Sequence, residues 1–267
     1  KVYAAYHAAV NHKGQPTVIL AQTVKGYGMG SSGESANPSH QVKKLNLENL
    51  KKFRDRFAIP ISDDDLGDLP YFNPGPESPE NKYLQGRRQF LGGYLPSRRA
   101  WKDPLGCPSL DVFKQQTKGT GDRQISTTMA FVRMLSTLVK DKTIGHRVVP
   151  IVPDEARTFG MEGMFKQLGI YTTEGQKYIP HDVDQVLSYH EDKAGQILEE
   201  GINESGAFSA WMACATSYAN HNQPLIPFYI YYSMFGHQRV GDLVWAAGDM
   251  QAKGFLLGAT SGRTTLN

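Results

Sequence analysis

The chain has 267 residues, 40% of them hydrophobic and 21% charged, with a net charge of +3. That length is enough to bury the core of one large or two ordinary domains, and the composition excludes disorder as a default. A charge this small argues against a nucleic-acid surface, as does the lack of Lys and Arg runs interleaved with aromatics: Arg98-Arg99 and Lys43-Lys44 are isolated pairs.

In chain order, Val2–Asn11 carries apolar residues at helical spacing and ends before Gly14. Pro16–Val24 is a β-branched run that predicts a buried parallel strand. Lys25–His40 is a polar, glycine-rich loop, and a helix carrying Leu45, Leu47, Leu50 and Phe53 follows. Between Ile59 and Ile125 Pro and Gly are frequent and helices short; Ser78-Pro79 is the cap and first-turn pair of a helix reaching Phe90. Thr117–Asp122 is a polar, Gly-containing junction.

Beyond it, helices are expected at Thr127–Lys140, Thr158–Leu168 (short, with up to three breaks or bends at glycines), Ser205–Asn220 and Arg239–Lys253. Strands are expected at Val148–Val152, Gln196–Gly201, Leu225–Tyr232 and Phe255–Gly258. The rhythm implies βαβ units and a parallel sheet covered on both faces, with ligands held outside the carboxyl ends of the strands. The loops opening at Lys25, Pro153, Gly201 and Ser233 therefore carry the candidate chemistry.

Within Gly195–Ser209, Glu204 stands between a strand and a helix rich in small residues. It is either the helix cap or a half-buried carboxyl poised to share a proton, and taken alone the stretch favours the cap. Gly28-Met-Gly-Ser-Ser-Gly33 matches the dinucleotide pattern G-x-G-x-x-G, but Pro38 follows where that pattern needs a helix. A lid and a plain solvated loop both remain open for it. Asp154, Glu155 and Arg157 form a substrate-facing set or a structural ion-pair cluster, the latter being commoner. Tyr231, Tyr232 and Phe235 are a wall for a flat ring or ordinary core.

Gly258-Ala-Thr-Ser-Gly262 holds its serine one place too late for a nucleophile elbow, and there is no Walker A sequence. Cys107 and Cys214 lack metal-ligand spacing and suit a reducing cytoplasm; no histidine pair has ligand spacing. Leu225–Tyr232, the longest apolar run, is too short to span a membrane. The first residues show no signal peptide and no initiator Met, so a cytoplasmic piece of a longer protein is expected.

Lys25-Gly-Tyr-Gly-Met-Gly30, His40-Gln-Val-Lys-Lys44, Tyr94-Leu-Pro-Ser-Arg98, Asp154–Gly163, Glu200-Gly-Ile-Asn-Glu204 and Phe228–Gly236 together closely resemble one family. It is the homodimeric bacterial pyruvate dehydrogenase, the thiamine diphosphate-dependent decarboxylase of the pyruvate dehydrogenase complex, and the similarity runs through the whole chain. The resemblance implies an α/β, transketolase-like thiamine diphosphate-binding fold, parallel sheets flanked by helices, incomplete in this chain. Residues 1–58 would end the diphosphate-binding domain, 59–125 connect, and 126–267 begin the pyrimidine-binding domain. It implies a homodimer, pyruvate as substrate and the lipoyl domains of dihydrolipoyl acetyltransferase as partners, with no nucleic acid and no membrane.

Position by position, Glu204 matches the glutamate that bonds the aminopyrimidine ring and promotes its imino tautomer. Ile202 matches the apolar prop that bends the cofactor, and Tyr232 and Phe235 match its aromatic surroundings. His40 and Lys43 match an active-site loop that assists acetyl transfer to lipoyl groups, in which Glu34 and Asn37 also fall. Lys25, Asp154 and Glu155 match polar residues of the active-site channel.

The family's Gly-Asp-Gly…Asn motif for Mg²⁺ and diphosphate is absent, since Gly241-Asp-Leu and Gly248-Asp-Met lack the second Gly. A further histidine of the family is expected shortly after Asn267. The polypeptide alone is therefore expected neither to hold the cofactor tightly nor to turn over. A 2-oxoglutarate dehydrogenase, a transketolase, a nicotinamide-dependent oxidoreductase using Gly28–Gly33 and a non-catalytic fragment are the alternatives.

Overall fold

The computed structural model describes residues 1–95 and 100–259. It divides into two compact units, Lys1–Leu95 and Pro96–Asn267. Part of Tyr94–Arg98 and the serine of Gly258–Gly262 lie outside the described residues.

In the first unit, α1 (Val2–Asn11) forms as its spacing predicts, but it buries no residue. Pro16–Val24, expected as a buried strand, is not one. It forms no ladder, and Val18 and Leu20 are 83% and 93% exposed. The β-branched run supplies strand propensity, but backbone N–H and C=O groups need a neighbouring strand, and the described residues offer it none. Next, α2 (Leu47–Arg56) starts at Asn46, whose side chain accepts from Asn49 N. Helix α3 (Pro79–Phe90) starts at Ser78, which accepts from Asn81 N ahead of the first-turn proline.

The second unit opens with the short α4 (Lys114–Thr117) and then α5 (Thr127–Leu138), capped by Ser126. It centres on four parallel strands in the order β4 (Leu198–Glu199), β1 (Val148–Val152), β5 (Ile226–Tyr232), β6 (Phe255–Ala259). Register pairs Ile151 with both Leu198 and Tyr229, and Phe228 with Phe255. Pro150 is tolerated in β1 because β4 pairs only Ile151 and Val152, so that at Pro150 the strand has a neighbour on one side only.

Alternate residues of β1 enter different cores. Val148 and Val152 pack with Leu135 of α5, Phe159 and Phe165. Ile151 packs with Phe208 and Trp211 of α7 (Glu204–Asn220) and with Val240 and Ala247 of α8 (Ser233–Asp249). This two-sided burial is what a parallel sheet requires.

The short helix expected at Thr158–Leu168, with breaks or bends at its glycines, is divided into 3₁₀ turns at Ala156–Phe159 and Glu162–Met164 and the short α6 (Phe165–Leu168). The break follows from Gly160, which adopts φ +72°. A small parallel pair, β2 (Ile170–Tyr171) and β3 (Glu191–Asp192), is additional. Gly195 lets this pair close, since a Cβ there would lie 2.5 Å from the Ile170 carbonyl carbon. Finally, α8 begins six residues earlier than expected, directly after β5.

Candidate active site

The direction of chain travel reverses across β1. The chain leaves β1 for β4 on one side, returns over the sheet through α7 to β5 on the other, and continues through α8 to β6. The crevice outside the carboxyl ends of β1 and β5 is therefore a topological switch point, where open α/β sheets place ligands. Asp154 and Glu155 follow β1, and Tyr232 and Phe235 end β5 and open α8. The loop after β4 is tied to the end of β1 by two hydrogen bonds, Glu200 N to Val152 O at 3.1 Å and Asn203 N to Pro153 O at 3.1 Å.

That loop delivers Glu204 as the first residue of α7. The helix cap is Asn203: its side-chain oxygen accepts from Gly206 N at 3.0 Å. Gly206 makes room for this cap, because a Cβ there would lie 2.4 Å from Asn203 Nδ2. The cap role weighed for Glu204 thus belongs to its neighbour, and the Glu204 side chain is left for other work.

Its carboxylate is only 14% exposed and accepts a hydrogen bond from Arg239 of α8. The Arg239 guanidinium lies 4.6 Å from the centre of the Phe235 ring. Phe235 meets Tyr232 edge-on, and Tyr232 in turn packs on Phe159 with ring centres 4.9 Å apart. Glu204, Arg239, Phe235 and Tyr232 are therefore one connected group, a carboxylate beside an aromatic shelf. Ile202 projects from the β4–α7 loop, 83% exposed, an apolar side chain with no core to fill.

Asp154 and Glu155 belong to a neighbouring polar region. Glu199 of β4 accepts from Ala156 N at 3.1 Å. Burial pushes its carboxyl up from the ordinary range; the Ala156 hydrogen bond opposes this, and Glu155 and Asp154 repel its charge. Arg157 pairs with Asp182, whose two oxygens also accept from Tyr189 N at 3.1 and 3.0 Å. A cavity of ≈ 570 Å³ opens here, with Glu155, Arg157, His181, Tyr189 and Glu199 among its lining. Glu204, Ile202, Tyr232 and Phe235 do not line it.

The remaining candidates lie in the first unit. Lys25 Nζ and His40 Nδ1 meet, so the two ends of the glycine-rich loop come together. Glu34 folds inside it and accepts from Gly28 N at 3.1 Å, Gly30 N at 3.3 Å and Arg56 Nη1 at 2.7 Å. Asn37 opens a 3₁₀ turn ending at His40, and Lys43 is exposed beyond it. The dinucleotide reading of Gly28–Gly33 fails here: no strand precedes it, no α-helix opens at Gly33, and Glu34 already occupies two of the turn's N–H groups.

Arg239, Asn203 and Glu199 were not singled out by sequence. Arg239 reaches Glu204 across 35 residues, which no local pattern records. Among the described residues no group of three or more His, Cys, Asp or Glu is placed to hold a metal ion, and no helix is long and apolar enough to cross a membrane.

Residues 105–267 match the family model of the pyruvate dehydrogenase E1 component middle domain. Across its full length the chain is 64% identical to the pyruvate dehydrogenase E1 component of Pseudomonas aeruginosa, 59% identical to that of Cupriavidus necator and 56% identical to that of Escherichia coli. The chain spans 30% of the length of each of these relatives.

Proposed function

Because the chain belongs to the pyruvate dehydrogenase E1 component family, we propose that it supplies part of the active site of a thiamine diphosphate-dependent pyruvate dehydrogenase. The reaction would be oxidative decarboxylation of pyruvate with reductive acetylation of lipoyl groups on a dihydrolipoyl acetyltransferase. The single observation that carries this reading is the shielded Glu204 carboxylate at the β4–α7 turn, set beside an aromatic shelf and an exposed isoleucine.

These residues fit the aminopyrimidine end of the cofactor. A flat, polar heterocycle needs an aromatic neighbour, an apolar support and a proton partner at one edge. Tyr232 and Phe235 offer the first, Ile202 the second and Glu204 the third. When bound, the cofactor supplies the carbon nucleophile that adds to the keto carbon of pyruvate and accepts the electron pair left when CO₂ departs.

Glu204 holds or shares the ring proton, and its low exposure keeps water from competing for that proton. Arg239 donates to one oxygen of this carboxylate, and the other oxygen would meet the ring edge. Asp154 and Glu155 line the approach at the end of β1. Lys25 is a further polar residue of the active-site channel, and His40 and Lys43, with Glu34 and Asn37 shaping their loop, meet the lipoyl group during acetyl transfer. Mg²⁺ and the diphosphate are assigned to parts of the longer relatives that this chain does not span. A homodimer, a cytoplasmic location and the boundaries near residues 58 and 125 belong to the same proposal.

Substitution in the full-length enzyme tests it. Glu204→Ala should cut pyruvate decarboxylation, followed with an artificial electron acceptor, by about 10²–10⁴-fold, the range for a positioned proton-transfer group. Near-wild-type turnover at saturating cofactor would refute the assignment.

A further inference from the structure

The glycine-rich loop is docked onto α2 by a residue that nothing above assigns to the reaction. Its first turn lies directly on the aromatic end of the helix: a Cβ on Gly28 would come within 2.6 Å of the Phe57 ring and 3.2 Å of Phe53. Gly28 also adopts φ +94°, so both the contact and the backbone demand glycine. Phe53 and Phe57 pack with ring centres 4.8 Å apart, and Tyr27 meets Phe57 edge-on.

Arg56, the last residue of α2, closes this arrangement. Its guanidinium lies 4.9 Å from the centre of the Tyr27 ring and 5.8 Å from that of Phe57. It also donates to the same Glu34 oxygen that accepts from Gly28 N and Gly30 N. One carboxylate oxygen therefore gathers two loop N–H groups and one helix cation. The hydrogen bond from Arg56 holds the Glu34 carboxyl below its ordinary range, so the staple is charged at neutral pH. On either side of it, Ser35 N bonds back to Lys25 O at 3.0 Å and Lys25 meets His40.

We infer that Arg56 is a positioning residue for acetyl transfer: through Glu34 it sets the Gly26–Ser35 turn and so holds His40 and Lys25 together at the mouth of the loop. The inference rests on the proposal that His40 acts in transfer to lipoyl groups. The contacts of Arg56 are to Glu34, Tyr27 and Phe57, so it acts through the loop. Lysine cannot replace it fully, because the planar guanidinium stacks on Tyr27 while donating to Glu34, whereas an ammonium is a compact point charge.

The test uses the full-length enzyme loaded with thiamine diphosphate and Mg²⁺, with Arg56→Met, Arg56→Lys and His40→Ala variants. Three quantities are read: hydrogen exchange of residues 26–36, decarboxylation with an artificial acceptor, and acetyl transfer to an isolated lipoyl domain. Arg56→Met should speed exchange at Gly28 and Gly30 roughly tenfold, the scale of losing one charge-assisted hydrogen bond. It should also lower acetyl transfer at least several-fold more than decarboxylation, with Arg56→Lys intermediate in both.

Unchanged exchange in Arg56→Met would overturn the inference. So would equal losses in the two activities together with a lower melting temperature, which is what a merely structural residue gives. If His40→Ala transfers acetyl groups normally, the functional reading of the loop fails and the positioning role falls with it. If His40→Ala is impaired while Arg56→Met transfers normally, only the role of Arg56 is overturned.

Discussion

Asn203 and Glu204 divide two tasks that one side chain would otherwise have to combine. Asn203 satisfies the orphan N–H of Gly206, while Glu204 keeps its carboxylate free of the helix end and directed to Arg239. Asn203→Ala should therefore cost about 0.5–2 kcal/mol in denaturant unfolding, the usual range for a lost cap. Gly206→Ala makes the division visible. In the native background its Cβ collides with the cap side chain, and it should destabilise. In an Asn203→Ala background the collision is gone, and the higher helix propensity of Ala should stabilise by about 0.5–1 kcal/mol. The same sign in both backgrounds would mean that the cap does not hold this geometry.

At the scale of elements, β4 carries a carboxylate that the fold does not welcome. Burial raises the Glu199 carboxyl first, the Ala156 hydrogen bond partly offsets this, and repulsion from Glu155, Asp154 and Glu191 adds to it. A group whose native pKa is raised favours the folded state while protonated, and that contribution is lost as the pH climbs through the native value. Glu199→Gln keeps an acceptor for Ala156 N but carries no charge. Its melting temperature should equal or exceed that of the wild type at pH 7–8, and the advantage should shrink toward pH 4. A difference that does not vary with pH would exclude ionisation as its cause.

The elements read best from sequence are those whose pattern is local. The strands expected at Val148–Val152 and Leu225–Tyr232 and the cap at Ser78 all announce themselves within a few residues. Pro16–Val24 has an equally strong pattern and forms no strand, because residue type records propensity and not the presence of a pairing neighbour. The β2–β3 pair escapes notice for the converse reason: each strand is two residues long and is fixed by register over some twenty residues of chain. The site follows the same rule. Strand ends pointed to the loops holding Glu204, Asp154 and Tyr232, whereas Arg239 and Arg56 gain meaning only from contacts 35 and 22 residues away.

Across the whole molecule, burial is distributed very unequally. Leu66 is the one buried hydrophobic residue among the described residues of Lys1–Leu95, whereas Pro96–Asn267 places Leu135, Val148, Ile151, Phe165, Phe208 and Tyr229 in cores on both faces of its sheet. Ion pairs such as Lys51–Asp63 and Arg54–Asp63 link α2 to the segment after it, but exposed pairs contribute little against chain entropy. Expressed separately, residues 96–267 should therefore unfold in one cooperative transition, and Leu135→Ala should lower its stability by about 2–5 kcal/mol, as for a fully buried leucine. Residues 1–95 alone should show helical circular dichroism that fades gradually on heating, with little protection from hydrogen exchange. A sharp, calorimetrically two-state transition in the 1–95 polypeptide would show that burial does not govern its folding.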